Sequence, residues 1–108
     1  MSLAAVEGFM DEQQKVATFV DEHDLDMSTE FRLLNLVEEI GEIAEDAIES
    51  AEYGDSPGEI TVTADEFGDV LFTALQMGNS AGIDASEALD ASLEKYEQRI
   101  EESGDPSS

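Results

Sequence analysis

The sequence predicts an all-α domain of four helices, and three features carry that expectation. Apolar residues recur at spacings of three, four and seven over long stretches. Helix-capping residues stand where those stretches begin. The only strand-like run, ITVT at Ile60 to Thr63, is too short and has no partner to make a sheet.

Taken in order, Leu3, Val6, Phe9, Met10, Val16, Phe19 and Val20 fit one amphipathic helix running up to about Asp24. LDMS interrupts the pattern. Ser28 is placed to cap a second helix from about Thr29 to Tyr53, and GDSPGE reads as a loop. Thr63 and Glu66 have the spacing of a capping box and open a third helix, which ends within Gly78 to Gly82. Its run VLFTALQM is apolar almost all round, as in a helix buried on most sides. Asp84 and Glu87 repeat the box more loosely and begin a fourth helix to about Glu102. The expected organisation is one domain over residues 1–103, with a frayed, flexible tail at 104–108. Its core is expected to be completed by oligomerisation.

Charge limits the function. Asp and Glu number 28 against 4 Lys and Arg, a formal net charge of -24. Nucleic-acid polymers are excluded as partners, because binding a phosphate backbone needs cations that release its counterions. Disorder is not expected, since 41% of residues are hydrophobic and periodic. Self-repulsion on this scale weakens a compact state in dilute buffer and fades where the Debye length falls to roughly 3 Å at 1 M salt. The composition thus points to a salt-rich, halophilic cytoplasm. Without cysteine there is no thiolate metal site, and neither a signal peptide nor a membrane-spanning run is visible.

Within the acidic background two clusters stand out. In LVEEIGEIAED, helical phase puts Glu39 at the margin of the apolar stripe, with Glu42 and Asp46 just beyond; Glu38 and Glu45 turn toward solvent. On the third helix Glu66 and Asp69 share a surface with little polar area, where full solvation is not expected. Desolvated carboxylates must protonate, pair or bind metal, and four cations are too few to pair them. A divalent cation is the simplest partner, and an all-oxygen site suits Mg²⁺ or Mn²⁺. Mg²⁺ held by carboxylates commonly shares its coordination with substrate phosphates. Lys95 and Arg99, half of the cations, lie four apart on the fourth helix and suit a polyphosphate clamp. Gly41 and Gly68, each between paired acids, call for tight helix packing or for backbone clearance beside a metal.

These residues resemble the MazG-like all-α nucleoside triphosphate pyrophosphohydrolases, whose signature is ExxE, a variable spacer, then ExxD. Here it stands as EEIGE, Glu38 to Glu42, and EFGD, Glu66 to Asp69, with 23 residues between Glu42 and Glu66. LVEEIGEIAE, DEFGDVLFTAL, and AGID before KYEQR extend the similarity from Phe31 to Ile100. The resemblance implies a four-helix MazG-like bundle in which Glu39, Glu42, Glu66 and Asp69 coordinate Mg²⁺, with Lys95 and Arg99 facing substrate phosphates. It implies cleavage between the α and β phosphates to a nucleoside monophosphate and pyrophosphate, with Glu38 or Glu39 accepting the water's proton. It also implies homodimers or dimer-based tetramers. Asn35 and Leu93 stand where many relatives carry Lys and Asn. Within the superfamily the alternatives are a phosphoribosyl-ATP pyrophosphatase or a dUTP- or dCTP-specific enzyme; outside enzymes, a helical metal- or partner-binding dimer without turnover.

Overall fold

Ser28 Oγ accepts from the Phe31 backbone N–H, so the long helix α2 spans Thr29–Ser50. The computed structural model describes residues 3–55, 58 and 60–107, and along the chain α1, Asp11–Glu22, precedes α2, followed by α3, Ala64–Ala81, and α4, Ala85–Ser103. At α3 the expected capping box is complete: Thr63 Oγ1 accepts from Glu66 N, and Glu66 Oε1 accepts from Thr63 N. Gly82, at φ 72°, ends α3 in the left-handed conformation that glycine adopts without strain. Asp84 Oδ1 then accepts from Ser86 N and Glu87 N to start α4.

Two expectations about the helices change. The first is not one helix: Leu3–Val6 form a 3-10 turn, and Gly8, at φ 86°, breaks the chain before Asp11. Apolar spacing continued across that break because the turn folds back and buries Val6. The second helix stops at Ser50 rather than Tyr53. Glu52, Tyr53 and Gly54 all take positive φ in a short 3-10 turn, which no α-helix accommodates. In the GDSPGE loop, Ser56, Pro57 and Glu59 lie outside the described residues, as does Ser108 in the tail. At the C-terminus Asp105 to Ser107 turn back, and Arg99 Nη1 donates to Pro106 O.

Packing centres on α3. Val16 and Val20 of α1 meet Leu75, with Met10, Phe72 and Ala85 around them. Beside this apolar cluster Gln13, with no exposed surface, forms a polar latch. Its Nε2 donates to Asn79 Oδ1 (3.0 Å) and Ile83 O (2.8 Å), and its Oε1 accepts from Ala85 N (2.7 Å). Asn79 Nδ2 returns a bond to Gln13 O (2.9 Å). Every polar group of the Gln13 side chain is therefore satisfied, and α1 is tied to the turn between α3 and α4. Buried Arg32 ties α2 to the preceding segment through Leu25 O.

Against expectation, α3 is not buried on most sides within one chain. It buries Thr73, Leu75, Gln76 and Asn79, whereas Phe67 is 59% exposed and Leu71 42%. Helix α4 buries no residue and carries Leu89, Leu93, Tyr96 and Ile100 as an exposed stripe. The radius of gyration, 16.9 Å, exceeds the roughly 13 Å of a closed domain of about 100 residues. Apolar faces thus stand uncovered on α2, α3 and α4.

Candidate metal centre

The pairing of α2 with α3 is antiparallel. Thr29 Oγ1 meets Ser80 Oγ at 2.9 Å, joining the start of α2 to the end of α3. At the other end Asp46 meets Glu66. This register lays EEIGE opposite EFGD, so the two motifs share one seam.

Glu39 is half-buried there, and desolvation raises its proton affinity; the charges of Glu42, Asp69 and Glu38 and a hydrogen bond with Glu42 raise it further. Glu42 of the first motif and Asp69 of the second therefore both act on Glu39. Glu66 stands with Asp46. Its Oε1 accepts from Thr63 N and Thr63 Oγ1, and its Oε2 is shielded from solvent without a hydrogen bond of good geometry. A side-chain bond from Asp46, followed by those from Thr63, holds the Glu66 carboxyl below its usual range, while Asp46, facing Glu66, is raised. Of the two, Asp46 is the one whose proton affinity rises, because Glu66 has the Thr63 donors to stabilise its anion.

Asp46 was the acid that sequence reasoning left outside the set. Seven residues beyond Glu39, it returns to nearly the same helical face two turns on, and that phase is the signal for it. Two expectations need correction. Glu42 and Asp69 are exposed in the single chain, so burial alone does not force them onto a metal. A Cβ at Gly41 or Gly68 meets no atom within 4 Å, so tight packing inside the chain is not why glycine stands there.

The donor set fits a hard cation. The charges of Glu42 and Asp69, from two helices, raise the proton affinity of Glu39, no Lys or Arg bonds to these acids among the described residues, and Glu66 Oε2 is shielded from solvent without a hydrogen bond of good geometry. Among the described residues no three of these side chains converge into a finished cage. Such a loose arrangement suits a cation that completes its shell with water and phosphate oxygens.

Glu38 points to solvent, and its Oε1 accepts from Asn35 Nδ2 at 3.5 Å; Asn35 accepts in turn from Arg32 Nη1 at 3.4 Å. The two α4 cations stand over the ring of Tyr96, Lys95 Nζ at 5.1 Å and the Arg99 guanidinium carbon at 6.0 Å. Since α4 leaves the other helices, the chain does not by itself gather these cations with the acids.

No curated protein and no solved structure matches the chain. Residues 27–103 match the family described as the MazG nucleotide pyrophosphohydrolase domain, and that span includes both acidic motifs and all of α4. Divalent metal dependence is general in that family. With well over half of its length in the match, the chain belongs to the MazG nucleotide pyrophosphohydrolase family.

Proposed function

We propose that this chain is a Mg²⁺-dependent nucleoside triphosphate pyrophosphohydrolase that cleaves the α–β anhydride to a nucleoside monophosphate and pyrophosphate. The observation that carries the reading is the seam where Glu39 of the first motif faces Asp69 of the second and is desolvated among like charges. Glu39, Glu42, Glu66 and Asp69 would hold the metal, with Mn²⁺ an acceptable substitute. The bound ion supplies charge neutralisation for the transferring phosphoryl group and a more acidic attacking water. Glu38, turned outward and held through Asn35, keeps its free carboxylate oxygen available to accept the water's proton. Glu39 is needed for the metal and orients rather than abstracts.

Lys95 and Arg99 serve as the phosphate clamp, and a second copy of the chain completes the arrangement. The stripe of Leu89, Leu93, Tyr96 and Ile100 is left open on the helix that bears both cations, so its burial in a homodimer or dimer-based tetramer would fix their position. The catalytic unit is residues 1–103, with 104–108 as an appendage, and the acid-rich surface suits a salt-rich cytoplasm.

The test is a panel of ribo- and deoxynucleoside triphosphates, with phosphoribosyl-ATP, in molar salt with and without Mg²⁺. The expected result is Mg²⁺-dependent pyrophosphate release from triphosphates. Turnover of phosphoribosyl-ATP alone would move the chain to the biosynthetic branch of the superfamily. Intact metal binding with no turnover of any substrate would make it a binding protein.

A further inference from the structure

Glu66 has two duties for one carboxylate. As the third residue of α3 it closes the capping box, where its Oε1 accepts from Thr63 N at 3.2 Å and from Thr63 Oγ1 at 3.1 Å. The Thr63 hydroxyl oxygen accepts from Glu66 N at 3.1 Å, and its one proton is directed at the carboxylate. Two donors fill both lone-pair sites of Oε1. Oε2, shielded from solvent and without a hydrogen bond of good geometry, is the oxygen left over.

The box is itself anchored to α2. Thr61 N donates to Ser50 Oγ at 3.4 Å, and Ser50 Oγ donates to Ala47 O at 3.0 Å. Ser50 is the last residue of α2, about one turn beyond Asp46. These bonds hold the approach to Thr63 against the helix that bears EEIGE, and Thr63 passes that position on to Glu66. Among the described residues Glu66 is the one proposed ligand that accepts hydrogen bonds from neutral donors, whereas Glu39 and Glu42 bond to each other.

We propose that Thr63 is a positioning residue for the metal centre: through the capping box it reserves Oε1 for the helix end and leaves Oε2 as the single oxygen that Glu66 gives to a cation. An unrestrained glutamate loses rotamer freedom when it becomes a ligand, and here folding has already removed that freedom. Hydrogen bonds that orient a ligating carboxylate commonly contribute about ten- to hundredfold in metal affinity. Thr63 is exposed, so its effect belongs at the lower end of that range.

The inference rests on the reading of Glu66 as a metal ligand, and Mn²⁺ binding by electron paramagnetic resonance tests it without turnover. Thr63→Val keeps the side-chain shape and the backbone N–H but removes the hydroxyl. In the full chain in molar salt it should weaken Mn²⁺ binding about tenfold. Thr63→Ser restores the hydroxyl and should bind within about threefold of the parent. Glu66→Gln should be weakened on its own, and adding Thr63→Val to it should change the affinity by less than about twofold, because Thr63 acts through Glu66. Asp84→Ala removes the cap of α4 and controls for stability. It should lower the melting temperature about as much as Thr63→Val does and leave Mn²⁺ affinity unchanged. The proposal is overturned if Thr63→Val stays within about twofold of the parent, or if Thr63→Ser fails to restore binding. It is equally overturned if Thr63→Val costs as much again in Glu66→Gln, or if Asp84→Ala weakens Mn²⁺ binding to the same extent. Parental affinity in Glu66→Gln would defeat the ligand assignment itself. Weakened binding in Glu66→Gln beside an unaffected Thr63→Val would defeat the positioning alone.

Discussion

Replacing Gln13 by Met keeps the volume of the latch while deleting its hydrogen bonds, and the cost can be worked group by group. The substitution strands Asn79 Oδ1, Ile83 O and Ala85 N, which now receive or give bonds of 3.0, 2.8 and 2.7 Å. Asn79 is buried, so its lost partner costs about 2 kcal/mol; the two backbone groups, nearer solvent, cost about 1 kcal/mol each. The sum, about 4 kcal/mol, is a large share of the roughly 5–15 kcal/mol that stabilises a domain. With a urea slope near 2 kcal/mol/M, the midpoint should fall by about 2 M. The assay is equilibrium urea unfolding in molar salt at one fixed protomer concentration, so that any association contributes equally. A loss below about 1 kcal/mol would refute the reasoning, because it would mean that water or a repacked side chain satisfies all three groups.

The remaining predictions concern charge. Folded-state proton affinities of Glu39 and Asp46 are raised, so their stabilising contribution is present at low pH and is lost as pH rises through their folded range. Metal-free protein should therefore melt higher at about pH 5 than at about pH 7, and Mg²⁺ should narrow that difference; a higher melting temperature at neutral pH would contradict this. Glu66 is shifted the other way, so its contribution should be lost only on further acidification, below about pH 4, as a steep fall in melting temperature. Glu38→Gln should lower kcat by about 10²- to 10⁴-fold with unchanged Mn²⁺ affinity, as measured by electron paramagnetic resonance. Melting temperature should rise from dilute buffer to molar salt as the charge of -24 is screened; a flat response would refute salt adaptation.

Much of the fold was legible because short-range chemistry determines it. Ser28, Thr63 with Glu66, Asp84 and Gly82 announce helix ends through their own backbone needs, and the structure uses each one. The break at Gly8 was not legible, because Val6, Phe9 and Met10 keep helical spacing while the chain changes direction. Helix α3 misled for a different reason. Its apolar circumference described the surface available for burial, but only part of it is covered in one chain.

At the candidate site, helical phase is legible because Glu39 and Asp69 both lie on continuous helices, and Asp69 is among the charges that act on Glu39. Asp46 and the Gln13–Asn79 latch depend on which residues meet across helices. Polar side chains carry no periodic mark of burial, so nothing in the sequence singles out Gln13. Where Lys95 and Arg99 act is likewise beyond local pattern, because α4 buries no residue within its own chain.

The central claim is that the acids of two separate motifs form one metal site for one reaction. Mn²⁺ binding by electron paramagnetic resonance, read beside pyrophosphate release in the same samples, tests it most directly in Glu42→Gln and Asp69→Asn. These exposed positions can be changed without disturbing the core. Each substitution alone is expected to weaken Mn²⁺ binding and abolish turnover together. Full Mn²⁺ affinity and undiminished pyrophosphate release in Asp69→Asn would show that the seam between EEIGE and EFGD is not the site.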